Sequence, residues 1–569
     1  MTCTKFKLTT VAALVFAATN ANAALYKVVE VTPSITGASE IFGVAIQPGT
    51  ASDGTNDLAL GCFDSAATNC ADSTFKLAGE TRDTVEAVSY REEVPFAMDA
   101  AFQYIQDRDD FEDYCRRELR YSTCESWADN RWYDTWNKER NDFTYVNAKA
   151  FVENGSSISP YNVVITALDD DGTPLGIQSN GSDVRHNAIT TTPLNASSES
   201  RAWGALTVND GTANIVYNFG SISVKGPATN TSNTTFSSKA AIWKNGDVHE
   251  FDWTRDGNAQ EGDFFGQGSM RGLVEKDGKL YGVGFDTANG NNDLQDMNAS
   301  VFVGDDLDIA NATWQTKIVS GAEVKSGSSD DDARYSNSVA TDVNKNLFAI
   351  GYAKRNGYAP ENGGTGNKIF IIEDILSPEA KFLTGGIFFT GAGGEAKAVN
   401  NFNEFVGQID AETVDERDGR ERRHRGFIYP YAVEAPNNVR VDKVFGGQAW
   451  WLDDLTNDGN ASGDNNKFRI IDASDINDAG VISATAIKCT VGGTTQPYDT
   501  TSHNSYCGGA SSNAVEEVVA VKLVPIAGTT KDDIQTRSTD TEKIDRQGGS
   551  LGWLTLTVLG LLGFRRKFK

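Results

Sequence analysis

The sequence predicts a mainly β protein made of repeated antiparallel sheets, most simply a β-propeller, with a small helical insertion and a C-terminal transmembrane helix. Three observations lead there. Helical periodicity is scarce along the 569 residues. Short runs rich in Val, Ile, Phe and Tyr alternate with Gly, Asn and Asp clusters, the pattern of strands and turns. A hairpin motif recurs at intervals, as stacked sheets require. A non-repetitive β-sandwich is the rival architecture.

The motif is clearest from Ala473, where Ile476, Asn477 and Gly480 lead to Ala484. The same frame begins at Ala340 (Val343, Asn344, Gly351) and at Ala396 (Val399, Asn400, Gly407). Weaker copies begin at Arg271 (Val274, Glu275, Gly278, Gly282), Ile165 (Leu168, Asp169, Gly172, Gly176) and Ala205 (Val208, Asn209). An apolar residue precedes Asn or an acid, a turn follows, and an apolar strand usually closes on Gly. Asn and Asp bond back to their own backbone and Gly tolerates positive φ, so each copy reads as a hairpin. A second, aromatic strand often precedes it, as in Ala241–Trp243, Gly426–Tyr429 and Ala449–Leu452.

The two elements together resemble the HAF-type extracellular repeats of bacteria, which pair an aromatic strand with an AINxxGxVVG-like hairpin. The resemblance spans about residues 160–490 and departs from the pattern at Ala484, where the closing Gly is replaced. It implies an architecture and an exported location, and it brings no activity.

Both ends of the chain carry sorting information. Met1–Ala23 has Lys5 and Lys7, an apolar Val11–Ala18 and the small-residue site Ala21-Asn22-Ala23, the layout of a secretory signal peptide cleaved after Ala23 by signal peptidase. At the other end, Gly548-Gly549-Ser550 precede an apolar run, Leu551–Phe564, and the basic Arg565–Lys569. That run is shorter than the roughly 20 residues that span a bilayer comfortably, but snorkelling cations extend it. The basic end should stay cytoplasmic, which places the body on the far side of the inner membrane. A buried terminal helix is the alternative.

This order of glycines, apolar segment and cations resembles the GlyGly-CTERM sorting signal of Gram-negative bacteria, and with the repeats it resembles an exported gammaproteobacterial family of unknown function. The resemblance implies processing near Gly548, Gly549 and Ser550 by a rhomboid-type protease (rhombosortase). It further implies type II secretion and a cell-surface or released product.

Six cysteines remain after the leader, in close pairs: Cys62 with Cys70, Cys115 with Cys124, and Cys489 with Cys507. An even count in an exported chain reads as disulfides, although six cysteines allow fifteen pairings. A zinc site is the rival and lacks C-x-x-C spacing. The net charge of −27 becomes more negative once both ends, with their six cations and no acids, are removed. Such a surface excludes nucleic acid as a partner.

Ala97–Asp142 breaks the β pattern. Its Trp and Tyr residues interleave with Asp, Glu and Arg, and Gly and Pro are absent, as in short helices pinned by a disulfide. Trp132, Tyr133 and Trp136 are the candidate contacts to a glycan or envelope ligand; the alternative is that these rings form the insertion's own core. The basic island Arg417–Arg425, which contains His424, is either an anion-binding patch or a solvated loop paired with Asp415, Glu416, Asp418 and Glu421. Acidic loops at Asp169–Asp171, Asp330–Asp332 and Asp453–Asp464 offer oxygen ligands for structural Ca²⁺, with turn capping as the alternative.

No metalloprotease, nucleophile-elbow, Walker or dinucleotide motif occurs. The chain therefore divides into a signal peptide (1–23), an N-terminal β segment (24–96), the helical insertion (97–142), a β-repeat body (143–530), a polar linker (531–547) and the sorting tail (548–569). The expected function is binding or scaffolding at the envelope, the alternative a secreted hydrolase or lyase using Asp and Glu on propeller loops.

Overall fold

The computed structural model describes residues 24–38, 40–82, 107–142, 144–178, 189–190, 199–225, 236–244, 246–255, 260–261, 264–288, 297–323, 335–355, 360–417, 422–431, 439–459, 464–492, 494–495 and 515–537. The signal peptide, Asp330–Asp332, Cys507 and the sorting tail lie outside them. Among the described residues no helix is long and apolar enough to cross a membrane.

Among the described residues seven antiparallel sheets of three or more strands follow one another along the chain, and a separate two-stranded ribbon, Gln260–Glu261 with Phe264–Phe265, falls between the third and the fourth in sequence. Sheet 1 joins Glu40–Ile46, Leu77–Arg82 and Ala148–Val152, and sheet 2 joins Val163–Leu168, Pro174–Gln178 and Ile189–Thr190. Sheet 3 runs Glu199–Asn209, Asn214–Lys225, Phe236–Lys244, Asp247–Glu250, and sheet 4 Gly268–Lys276, Lys279–Thr287, Met297–Gly304, Trp314–Ile318. Sheet 5 runs Tyr335–Val343, Ala349–Arg355, Asn367–Ile372, Lys381–Phe382, and sheet 6 Gly394–Val399, Glu404–Asp410, His424–Pro430, Trp450–Trp451. Sheet 7 takes Phe468–Ile476, Ile482–Val491 and Val515–Pro525 from the C-terminal part. Its outer strand is Tyr26–Val31, paired antiparallel to Val515–Pro525, and Thr494–Thr495 adds a short fifth strand.

The first strand of each sheet packs on the sheet before it, and Glu40–Ile46 packs on the strands of sheet 7. The seven sheets thus close into a ring, with both ends of the described chain joined in one sheet. Hydrophobic clusters fill the gaps between neighbours. Val301, Val343, Ala349 and Phe370 lie between sheets 4 and 5, and Ile350, Ala396, Phe405 and Phe427 between sheets 5 and 6. Burial between sheets, and not within one large core, lets a chain this long stay packed.

All six motif copies fall on the first strand of a sheet and the hairpin that follows it, in sheets 2 to 7. Sheet 1 supplies the seventh first strand without a recognisable motif, because residues 47–76 replace the short turn. The ring therefore draws on the chain from residue 26 onward, which corrects the expectation that the repeat body begins at 143.

Every first strand also carries a β-bulge at the same place. The register shifts pass over Val44, Thr166, Trp203, Arg271, Thr341, Lys397 and Ser474. The residue before each bulge pairs with Gly79, Gly176, Gly220, Gly284, Gly351 or Gly407 in the first six sheets, and with Ala484 in the seventh. A Cβ on Gly351 would lie 2.2 Å from Val339 O, and one on Gly407 1.9 Å from Glu395 O. The closing glycine of the motif is the residue that lets the bulged backbone approach. In the copy at Arg271 that residue is Gly284, not Gly282.

Residues 107–142 form the expected helices, Arg108–Tyr114, Cys124–Arg131 and Asn137–Asn141. Asp107 caps the first through the N–H groups of Asp109 and Asp110. The Cys115–Cys124 disulfide joins the first two, and Trp127 packs on Phe111 and Tyr114. The Cys62–Cys70 disulfide is also present, and Cys489 is disulfide-bonded. The stretch expected to be a linker from 531 is docked as far as Arg537, whose guanidinium donates to Phe468 O and Asn466 O at 2.7 Å each.

Candidate functional site

The first strands of all seven sheets line a central cavity of about 660 Å³, and every bulged residue borders it. Successive bulges are bonded from one sheet to the next. The hydroxyls of Thr166, Thr341 and Ser474 donate to Ala202 O, Ala396 O and Gly43 O at 3.1, 2.8 and 2.8 Å, each the carbonyl just before the next bulge. Lys397 Nζ donates to Asp472 of sheet 7 at 2.7 Å, and the Arg271 guanidinium lies 3.4 Å from the centre of the Trp203 ring.

Asparagines stitch one end of this cavity. Oδ1 of Asn344, Asn400 and Asn477 accepts backbone N–H groups of its own turn. Their side-chain amides donate onward to Asn400 O, Asn477 O and Gln47 O at 2.8, 3.2 and 3.0 Å, so sheets 5, 6, 7 and 1 are joined in series. Asp342 and Asp475 do the same with both oxygens. Each accepts one N–H from its own strand and one from the next sheet, Val399 N at 2.9 Å and Ile46 N at 2.9 Å. Burial pushes the Asp342 carboxyl up to about 7 against the pull of these backbone donors, and the nearby Asp475 adds to the rise.

Further along, the wall carries charges of both signs beside aromatic rings. Glu80 and Arg82 form a buried pair at 2.7 Å, and Glu395 accepts from Asn367 and Gln408. Phe42, Trp203 and Tyr352 supply the apolar surface. Sequence reasoning found the motif but not this cavity. The signal was the residue after the motif's first residue (Thr166, Thr341, Lys397, Ser474), which falls on the bulge.

The residues singled out in the sequence sit elsewhere. Trp132 is half-buried and Tyr133 is 55% exposed on the helical insertion, and neither lines the cavity. The Trp136 side chain lies outside the described residues. The insertion rests on sheet 5, where Thr365 donates to Leu119 O at 2.9 Å and Lys354 faces the Tyr114 ring. Phe111, Tyr114 and Cys115 are buried in it, so part of its aromatic content is its own core.

Neither reading of the basic island holds throughout. Arg422 has no exposed side-chain surface. It donates to Gly391 O, Val414 O and Asn362 O and pairs with Asp410 at 3.1 Å. Arg425 is buried near Asp453 at 3.4 Å. Arg417 behaves as a surface residue, paired with Asp415, and Arg423 and His424 are half-buried; residues 418–421 lie outside the described residues.

Two of the acidic loops likewise have other work, and Asp330–Asp332 lie outside the described residues. Asp169 caps its own turn through Asp171 N and Thr173 N, and Asp453 is held by Arg425, Arg469 and Arg537. Among the described residues no group of three or more His, Cys, Asp or Glu is placed to hold a metal ion.

The model of a family described as "Protein of unknown function (DUF3466)" matches residues 217–567, more than half of the chain. The chain belongs to this family. Its match begins in the second strand of sheet 3, and sheets 4 to 7 lie within it except for the outer strand Tyr26–Val31. No curated protein matches the sequence.

Solved structures give distant matches. An α-L-arabinanase of Cellvibrio cellulosa is 11% identical, over 48% of this chain and 89% of its own, with a TM-score of 0.23. A GH32 β-fructofuranosidase of Bombyx mori is 13% identical, over 48% of this chain and 58% of its own, with a TM-score of 0.21. A sucrose-6-phosphate hydrolase of Lactobacillus gasseri is 12% identical, over 63% and 74%, with a TM-score of 0.23. At such scores the likeness carries no argument about activity.

Proposed function

We propose that the protein is an exported, envelope-associated binding protein. In this reading its seven sheets are the blades of a β-propeller, and its central cavity receives a small polar ligand. The observation that carries the proposal is the cavity itself, walled by all seven first strands, with Lys397, Arg271, Glu80 and Glu395 beside Trp203, Phe42 and Tyr352. Concave sites with a few polar groups among aromatic surfaces are where small molecules bind.

Binding is favoured over hydrolysis by how the carboxylates are engaged. Asp342 and Asp475 hold backbone N–H groups of two sheets, Asp472 holds Lys397, and Glu80 holds Arg82. Glycoside hydrolysis of the usual kind needs two carboxylates aimed at one bond.

Export rests on the N-terminal leader, the disulfides and the C-terminal tail, with rhomboid-type processing at Gly548 and Gly549 and type II secretion as the route. Fractionation of cells and medium, comparing wild type with a Gly548→Ala/Gly549→Ala double variant, tests location. The variant should stay unprocessed in the membrane fraction; unchanged processing and distribution would refute it. For binding, a panel of sugars, amino acids and organic acids should contain a compound that raises the unfolding temperature of wild type and not of Lys397→Met. No response to any compound would count against the cavity as the site.

A further inference from the structure

A second, separate cavity of about 230 Å³ opens between sheets 5 and 6, lined by Arg355, Glu361, Lys368, Phe388, Thr390 and Gly391 among others. Arg355 ends the second strand of sheet 5, and only 3% of its side chain is exposed. Its Nη2 donates to Ala392 O at 3.2 Å and stands 3.6 Å from a Glu361 oxygen. Among the described residues its Nε and Nη1 have no acceptor. Glu361 is shared, because Lys368 Nζ lies 3.5 Å from its other oxygen. The nearby Asp410 is already taken by Arg422, His424 and Gly393 N.

Among the described residues the wall therefore holds two cations against one carboxylate, on a chain whose net charge is −27. A guanidinium kept from water with two of three nitrogens unbonded is costly, and burial accordingly pulls its pKa below the usual arginine value. A bound oxyanion would supply the missing acceptors through charge-assisted hydrogen bonds, and Phe388 and Phe389 would cover an apolar remainder.

We propose that this cavity is a binding site for a small oxyanion, the carboxylate or phosphate group of a compact molecule, held by Arg355 and Lys368. It does not depend on the reading of the central cavity.

The test titrates the exported chain, disulfides intact, with sodium acetate and separately with inorganic phosphate at constant ionic strength, following the unfolding temperature. Wild type should show a saturable rise with at least one probe, and the probe that works distinguishes carboxylate from phosphate. Arg355→Met should abolish the dependence, and Lys368→Met should raise the half-saturating concentration at least fivefold. If Arg355→Met does not fold, Arg355→Lys keeps the charge with fewer donors and should also raise that concentration at least fivefold. No saturable rise in wild type with either probe, or an undiminished response in the Arg355 variant, would overturn the proposal.

Discussion

Asn400 shows how one side chain serves two sheets. Its oxygen accepts from Phe402 N and Glu404 N, and its amide donates to Asn477 O and to Glu404 Oε2. Asn400→Ala should cost about 1–3 kcal/mol, since it removes the turn's acceptor and the side-chain link to the buried Asn477 carbonyl, which keeps only Gly480 N. Chemical denaturation measures the loss. Gly351→Ala should cost a comparable amount for a different reason, the clash of a new Cβ with Val339 O and the Phe370 ring. An unchanged midpoint in either variant would show that the bulge and its turn tolerate more than the geometry allows.

Asp342 sets a pH dependence with a definite sign. Its native carboxyl is raised to about 7 by burial, whereas an unfolded aspartate titrates near 3.9. The native state keeps a proton that the unfolded chain has already released, so the contribution is full below about pH 4 and is lost as pH rises through about 7. Asp286, also raised to about 7 by burial, adds the same sign. The denaturation midpoint should fall from pH 5 to pH 8, less steeply in Asp342→Asn. A steady rise over that range would contradict this.

At the scale of elements, the repeat was legible because the constraint is local. Each hairpin needs Asn or an acid to close its turn, and six of the seven sheets need Gly opposite the bulge. The first sheet was illegible because Gln47 replaces the Asn and a disulfide-bonded loop replaces the turn. The cavity was illegible for another reason. Val44, Trp203, Arg271 and Lys397 share with the hydroxyl-bearing Thr166, Thr341 and Ser474 only a backbone position. Buried arginines also misled, since Arg422 and Arg425 read as a surface run but are held by carbonyls and carboxylates far away in the sequence.

The helical insertion is pinned by one disulfide. Replacing Cys115 and Cys124 with Ser should lower its local stability by about 2–3 kcal/mol, the loop-closure entropy of so short a ring. Proteolysis within residues 107–142 should speed up while the β ring stays resistant. Equal protection in both forms would show that the docking of Leu119 and Tyr114 on sheet 5 suffices.

The whole molecule depends on closure. Tyr26–Val31 pairs residue for residue with Ala520–Pro525, so the first described strand completes the last sheet. Removing residues 24–31 would expose that edge and strip Leu25, Tyr26 and Val28 from the core they share with Phe63, Val521 and Leu523, and it should destabilise the fold far more than removing the tail beyond 537.

The ring in turn creates the cavity proposed to bind a ligand. Native mass spectrometry of the processed protein from its producing cells tests that most directly. Wild type should carry one small polar molecule, released on denaturation, and Lys397→Met should carry it at much reduced occupancy. Equal occupancy in both forms, or none in wild type together with no response to the compound panel, would contradict the account.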